Sequence, residues 1–507
     1  MNSDVNILSQ LEAHLWESAN ILRGPVDAAD FKTYIFPLFF FKRICDVYDE
    51  EFAAAMEESN GDSDYASFPE NHRFQIPEGC HWHKVRLKTG NVGAALQFAF
   101  HEIEKANPRS LYGIFGDAQW TNKDRLSDDL LRNLIEHFSE LRLSNETIES
   151  DVLGQAYEYL IKKFADQTNK KAGEFYTPRS IVRLMIEMLD PQAGDTIYDP
   201  ACGTGGLLLE SVNHVRRING DVKSLRRKLF GQEKNLTTSG IARINLFMHG
   251  IEDFEVVRGD TLRSPAFFEG DRLATFDCVI ANPPFSLEHW GEEIWVNDSF
   301  GRNFAGVPPR KSGDFAWVQH MIKSLAAPSG RMAIVLPHGA LFRAGAEGNI
   351  RKKILKSDVL EAVIGIGPNL FYGTGLSASI LVGRRKKLAE RENRILFIDA
   401  SKLFKRGRNQ NTLEAEHIDR ILQLYQNYES VEGLAKAVSL DEIERNDWNL
   451  NIPRYVESVT EANNVSVNDA LISLKNSLVQ AYAAEDRLKN LLAESDLLSD
   501  AETATRV

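Results

Sequence analysis

The sequence predicts an α/β protein built on a doubly wound sheet, with a helical domain ahead of it and a helical tail behind it. Three observations carry this prediction. Short apolar runs at Thr196 to Tyr198, Lys228 to Gln232, Phe254 to Arg258 and Thr275 to Ile280 read as strands, and helical stretches separate them. Each run ends in a loop of distinct polar chemistry, and strand ends are where open α/β sheets bind ligands. Residues 1–149 instead repeat apolar side chains at helical spacing. The expected divisions are a helical domain over 1–149, the sheet domain over 150–455 and a tail over 456–507.

A chain of 507 residues exceeds one ordinary compact core, so more than one domain is expected. No apolar run is long enough for a membrane span, and Met1-Asn2-Ser3-Asp4 is not the start expected of a secretory signal. Four scattered cysteines, Cys45, Cys80, Cys202 and Cys278, form no paired framework, which predicts a reducing, cytoplasmic setting. The net charge of −13 counts against a chain that grips nucleic acid unaided, because nonspecific affinity comes from Lys and Arg neutralising phosphates. Basic clusters nevertheless occur at Arg216-Arg217, Arg226 to Lys228, Arg351 to Lys353, Arg384 to Lys387 and Lys402 to Arg408. A solvated helix face is the bland reading of any one of them.

In the first domain, Leu8, Leu11, Leu15 and Leu22 share one helix face, and Asp30 is placed to cap an aromatic-rich helix through Val47. Polar breaks at Ser59 to Ser63 and Lys88 to Asn91 divide the rest of the domain. Cys80-His81-Trp82-His83 has zinc-ligand chemistry, but no second Cys/His pair follows at a zinc-module spacing, so no metal is expected. From Asp151 to Phe164 an amphipathic helix leads through a polar loop to Gly173-Glu174-Phe175-Tyr176-Thr177-Pro178-Arg179. Pro178 and Ser180 open another helix, whose first amides can hold a carboxylate.

The strand Thr196 to Tyr198 runs into Asp199-Pro200-Ala201-Cys202-Gly203-Thr204-Gly205-Gly206, where glycines allow a ligand to approach the backbone. The second strand ends at Glu233, an acid placed to accept the ribose hydroxyls of a nucleoside. The unusually long gap between them predicts an inserted helix or loop around Arg216 to Arg227. The third ends at Asp260. The fourth delivers Ala281-Asn282-Pro283-Pro284-Phe285: an amide oxygen that can accept from a planar amine, two prolines that stiffen the carbonyls beside it, and a stacking ring. That set suits an exocyclic amine on a flat heterocycle, such as an adenine extruded from a duplex. Any one of these loops alone would read as a turn. Their order is the evidence.

With these motifs in place, the chain resembles the amino-methyltransferases that use S-adenosylmethionine. More narrowly, Gly173 to Arg179 and Pro368-Asn369-Leu370-Phe371-Tyr372-Gly373-Thr374-Gly375 make it similar to the modification subunit of type I restriction-modification systems, an adenine-N6 DNA methyltransferase. The resemblance implies a Rossmann-like methyltransferase sheet, and S-adenosylmethionine as cofactor held by Glu174, Phe175, Tyr176, Thr177, Pro178, Arg179, Asp199, Gly203, Thr204, Gly205, Gly206, Glu233 and Asp260. It implies catalysis by Asn282, Pro283, Pro284 and Phe285. It also implies DNA as substrate, two modification subunits around one specificity subunit, and a restriction subunit that joins for cleavage. Loops of the Asn-Pro-Pro-aromatic kind also serve enzymes acting on glutamine side chains and RNA bases; the flanking segments favour DNA adenine. Where related subunits commonly carry Ile-Pro, this chain has Leu376-Ser377, and no catalytic role is assigned there.

Residues 286–312 read as a long polar loop, either a mobile segment that orders over substrate or plain disorder. A helix at Asp314 to Leu325 and strands at Met332 to Leu336, Leu360 to Ile366 and Ile380 to Val382 come next. Asn446 to Tyr455 resembles the segment that closes the methyltransferase region in these subunits. Beyond it Leu471, Leu474, Leu478, Ala481, Leu488 and Leu492 form a coiled-coil-like seam, for a partner helix or for the chain's own body. A catalytically silent scaffold is the competing reading, and the intact Asn282, Pro283, Phe285, Glu233 and glycine loop count against it.

Overall fold

The computed structural model describes residues 2–167, 177–219, 221–371, 375, 377–408, 410–457 and 467–494. Residues 1–457 form one compact unit and 458–507 a second. The predicted Glu174, Phe175 and Tyr176, and Tyr372 to Thr374 and Leu376, lie outside the described residues.

The first unit opens on helices because its apolar residues recur at steps of three and four. Helix α1 (Asn2–Leu22) buries Leu11, Leu15 and Leu22. Helix α2 (Phe31–Glu58) begins after Asp30, as expected, but the Asp30 side chain makes no capping bond and the helix runs past Val47, through Pro37, to the break at Ser59. Its aromatic run, Phe36 and Phe39 to Phe41, is fully buried against helices α3 (Val92–Ala106), α4 (Asp128–Ser139) and α5 (Ser150–Gln167). Cys80 and Trp82 belong to this core, and the Trp82 indole N–H donates to Ser139 Oγ at 2.9 Å.

After helix α6 (Arg179–Leu189) comes a nine-stranded sheet: β1 (Ile197–Asp199), β2 (Leu229–Glu233), β3 (Phe254–Arg258), β4 (Cys278–Ala281), β5 (Arg331–Pro337), β6 (Leu360–Ile366), β7 (Ala378–Arg384), β8 (Arg394–Ala400) and β9 (Ala435–Ser439). The spatial order is β9-β8-β6-β7-β5-β4-β1-β2-β3. Strands β3, β2, β1, β4 and β5 pair in parallel; β7 lies antiparallel between β5 and β6, β8 is again parallel to β6, and β9 closes the edge antiparallel. The carboxyl ends of β1 to β6 and of β8 therefore share one edge. Helix α7 (Gly206–Asn219) follows the glycine loop, and the insertion expected around Arg216 to Arg227 includes its last turn and a short 3-10 turn, Val222–Leu225.

Both faces of the sheet are covered, as parallel strands require. Val279, Ala281, Ile334 and Leu336 face helices α9 (Asp314–Lys323) and α10 (Ala346–Lys356), whereas Ile280, Ala333, Val335 and Ile364 face α6 and α11 (Ala415–Asn427). Helix α8 (Leu236–Met248), between β2 and β3, turns Ile241, Ile244 and Phe247 into the N-terminal helical core, so that core is built directly onto the sheet layer.

The segment 286–312 corrects the sequence reading. It is neither mobile cover nor disorder but packed structure, with Trp290 and Trp295 fully buried in edge contact at 5.1 Å. Arg302, also buried, donates to Asp298 and to the Thr261 carbonyl and lies over the Trp295 ring. Strands β8 and β9 were likewise not read from the sequence. In the second unit, helix α12 (Val467–Glu494) leaves Leu471, Leu474, Leu478 and Leu488 exposed.

Candidate functional site

Four loops that leave the carboxyl ends of β1 to β4 meet where the strand order reverses, the place at which such sheets bind ligands. β1 ends in Asp199, and the turn beyond it holds Gly203 and Gly205 at φ +52° and +79°, a region that side-chain-bearing residues rarely adopt. Helix α7 starts at once, at Gly206.

Glu233 ties this turn to the end of β2. Its carboxylate accepts from the Gly203 N–H at 3.1 Å and from the Asn235 N–H at 2.7 Å. Burial raises its pKa, and the backbone donors of Asn235 and Gly203 oppose the rise. Asp199 is 1% exposed; one of its oxygens accepts from the Ala201 N–H at 3.0 Å and the other has no partner. Burial, opposed by that bond and reinforced by the charge of Glu233, pushes its pKa up to about 8. Asp260, beyond β3, pairs with Lys234 at 2.9 Å and accepts from the Arg263 N–H. Thr261 next to it bonds the Pro200 carbonyl at 2.6 Å, locking the third loop to the first.

Asn282 follows β4. Its amide nitrogen donates to Thr177 Oγ1 at 3.0 Å, and its Oδ1 is buried without a partner. Thr177 thus joins the fourth loop across 105 residues, while Pro178 forms the N-cap of α6 and Arg179 pairs with Glu158 of α5. Pro283 is buried and Pro284 half-buried. Phe285 is half-buried and meets Phe371 edge-on at 5.8 Å. Ser286, at φ +49°, turns the chain away, and its N–H is accepted by Asp314 Oδ1 at 2.8 Å.

Glu158, Thr177, Asp199, Gly203, Asn245 and Asn282 line one cavity. A neighbouring cavity shares Glu158, Thr177 and Gly206 and adds Arg179, Arg216 and His249. Three residues that line the first cavity each carry a buried acceptor without a donor: Asn282 Oδ1, Asp199 Oδ2 and Asn245 Oδ1. Buried acceptors without donors are costly, so a ligand that fits must bring its own N–H or O–H groups.

Of the predicted residues that are described, Thr177, Asp199, Gly203, Thr204, Gly206 and Asn282 line the first cavity, Pro178 and Arg179 open the helix beside it, and Glu233 braces it from behind. A Cβ at Gly205 would lie 3.4 Å from Ala242 of α8. Asp260, Pro283, Pro284 and Phe285 are not among the lining residues of that cavity. Sequence reasoning missed Asn245, whose Nδ2 donates to the Thr204 carbonyl at 3.0 Å, and Asp314. The first carries no motif. The second had a signal, an acid at a helix start after glycine.

Among the described residues, one group elsewhere has the composition of a metal site: His14, His137 and Glu140, with donor atoms within 4.8 Å. The two rings stack at 3.8 Å and 7°, and each Nε2 donates to the other residue's carbonyl, at 2.9 and 2.8 Å. Their remaining lone pairs lie in nearly parallel planes and do not converge on one ion. The pair clips α1 to α4.

Comparison with known proteins gives the family. The N-6 DNA methylase family matches residues 148–464, and the HsdM N-terminal domain family matches 11–138. The methylase subunit of the type I restriction enzyme MjaVII from Methanocaldococcus jannaschii is 34% identical over 411 residues, 78% of this chain and 68% of the relative. That of HindI from Haemophilus influenzae is 31% identical, covering 79% of this chain and 91% of the relative. The crystal structure of the methyltransferase subunit of a type I restriction-modification system from Streptococcus thermophilus superposes with a TM-score of 0.75 at 31% identity, over 89% of this chain and all of that one.

Proposed function

Since the chain belongs to the N-6 DNA methylase family, alongside the methylase subunits of type I restriction enzymes, we propose that it methylates N6 of an adenine rotated out of DNA. The observation that carries this reading is Asn282, which lines the cavity of the glycine loop just past the end of β4 and holds a buried Oδ1 without a partner. S-adenosylmethionine supplies the activated methyl when bound. Its ammonium and ribose hydroxyls are the kind of donors that Asp199 and Asn245 lack, and the resemblance assigns the ribose hydroxyls to Glu233. The resemblance adds Glu174, Phe175, Tyr176, Thr177, Pro178, Arg179, Thr204, Gly205, Gly206 and Asp260 to the holding set.

Adenine's amino nitrogen is a poor nucleophile because its lone pair is delocalised into the ring. Asn282 Oδ1 and the Pro283 carbonyl each accept one N–H of that amine, which draws the nitrogen toward tetrahedral geometry and frees the lone pair for attack. Thr177 holds the Asn282 amide while this happens. Pro284 stiffens the turn, and Phe285, steadied by Phe371, offers its face to the base. Positioning and electrostatics do the work.

In this reading the target sequence is recognised by a separate specificity subunit that joins a pair of these chains through the helical tail beyond residue 455, and a restriction subunit completes the cleaving complex. The four free, buried cysteines suit a cytoplasmic setting. The test is labelled methyl transfer to unmethylated DNA by the chain alone and with its specificity subunit, followed by detection of N6-methyladenine. Activity only with the partner is expected. Asn282→Ala abolishes transfer and spares cofactor binding; retained transfer by that variant refutes the assignment.

A further inference from the structure

Most basic clusters in the sequence are ion-paired, partly buried or placed at the amino edge of the sheet. Arg216 and Arg217 close α7, which starts at that edge and ends at the opposite one, and they pair with Asp151 and Glu210. Arg226 to Lys228 precede β2, and Arg384 ends the antiparallel β7 with Arg385 to Lys387 after it; both groups lie at the amino edge, with Arg226, Arg384 and Lys387 in ion pairs. Of Arg351 to Lys353 on α10, Arg351 is buried and Lys352 and Lys353 are exposed.

Lys402 to Arg408 differ. They follow β8, whose carboxyl end lies on the same edge as that of β4. The segment is a built hairpin rather than a loose loop. Lys405 and Thr412 exchange backbone bonds at 2.8 and 3.0 Å, and Gly407 sits so close that a Cβ there would lie 1.9 Å from the Gln410 carbonyl oxygen. The hairpin is fastened to the loop beyond β6: the Asn411 N–H donates to the Asn369 carbonyl and its Nδ2 to that of Pro368, both at 2.9 Å, while Gln410 Nε2 donates to the Leu370 carbonyl at 2.6 Å. The next residue, Phe371, is the one that meets Phe285. Lys405 pairs with Glu414 at 3.3 Å. Lys402, Arg406 and Arg408 are exposed and pair with no acidic group among the described residues.

In a chain of net charge −13, a segment that carries three uncompensated cations at the carboxyl edge, tied to the loop whose Phe371 meets Phe285, has a polyanion as its fitting partner. We propose that Lys402, Arg406 and Arg408 grip the phosphates flanking the extruded adenine. This rests on the DNA reading above and adds to it the surface that holds the strand while the base is out. Phosphate contacts of this kind set register and affinity but carry no sequence information.

The experiment compares three forms of the complex of this chain with its specificity subunit: wild type, Lys402→Ala/Arg406→Ala/Arg408→Ala, and the amino-edge control Arg226→Ala/Arg227→Ala/Lys228→Ala. Binding to a fluorescein-labelled duplex bearing the target is measured from about 50 to 200 mM salt, and S-adenosylmethionine affinity and methyl transfer at saturating DNA are measured alongside. Each lost phosphate contact lowers the slope of log affinity against log salt by about 0.9, so the hairpin triple loses about 2 to 3 from the slope and about 10- to 100-fold in affinity. The control keeps the wild-type slope. Cofactor affinity and turnover at saturating DNA stay within about twofold in both variants. An unchanged slope in the hairpin triple, or an equal loss in the control, overturns the proposal. Failure of the wild-type complex to methylate DNA overturns the reading beneath it instead, so the two failures are told apart.

Discussion

Asp314→Ala tests whether the loop that presents Asn282 is held from behind. Asp314 is 1% exposed at the start of α9, and its Oδ1 accepts the N–H of Ser286, the residue directly after Phe285. Its other oxygen faces Ser312 and the Arg343 guanidinium, which Glu347 also engages. Serine in the left-handed region costs about 1 to 2 kcal/mol. Losing a hydrogen bond to a charged acceptor costs about 1.5 to 3 kcal/mol. The bond lost is thus as large as the strain it restrains, and without it Ser286 relaxes and shifts Phe285 and the prolines. A displacement of about 1 Å at a reacting group costs on the order of 100-fold in rate. Single-turnover transfer of labelled methyl by the chain with its specificity subunit is therefore expected to slow by about 10- to 100-fold. Cofactor affinity, measured by calorimetry, changes by less than about threefold, because Asp199, Gly203 and Glu233 hang on β1 and β2. Asp314→Asn keeps an acceptor for Ser286 while turning a donor toward Arg343, and falls between. Unchanged transfer in Asp314→Ala, or a parallel collapse of transfer, cofactor affinity and melting temperature, would refute the reasoning.

Other perturbations read different parts of the site. Thr177→Val removes the hydroxyl that holds the Asn282 amide and is expected to lower single-turnover transfer by about tenfold, the loss of roughly one hydrogen bond, with Thr177→Ser restoring it; equal rates in the two variants would sink the idea. Asp199 has its folded pKa raised from 3.8 to about 8, so its contribution to stability is complete below pH 3.8 and is lost as pH rises toward 8. The melting temperature of the wild type should therefore fall relative to Asp199→Asn across that interval, and a flat difference would disprove it. Gly240→Ala drives a Cβ to 2.7 Å from the Ile114 carbonyl oxygen and should destabilise the packing of α8 on the N-terminal helices by about 1 to 3 kcal/mol, read as a lower urea midpoint.

What the sequence made legible was local. The strands that carry motifs could be placed because each couples a short apolar run to a loop whose residue types have few other uses, and β6 matches its expected span of Leu360 to Ile366 at both ends. Residues 286–312 were misread for the opposite reason. Their glycines, asparagines and charges are polar in composition, but Trp290, Trp295 and the Arg302 and Asp298 pair are buried by elements far away in sequence, which no window of neighbours reveals. Strands β8 and β9 escaped because an edge pair takes its identity from the partner strand it finds.

The same division explains which site residues were found. Asn282, Glu233 and the glycine loop announce themselves by type and spacing, whereas Asn245 and Asp314 become functional candidates only through contacts across 41 and 28 residues, to Thr204 and Ser286. Motif residues can present the right atoms only if such partners fix where those atoms sit. Asn245 closes the glycine loop from α8, Thr177 orients Asn282 from the start of α6, and Asp314 pins the exit of the loop from α9. Because these supports come from three different helices, each is expected to affect a different quantity when removed: cofactor affinity for Asn245, the rate of the chemical step for Thr177, and the seating of the base for Asp314. A substitution at any one of them that depressed all three quantities equally would show that the cavity moves as a single body, and would count against treating its walls as separately held.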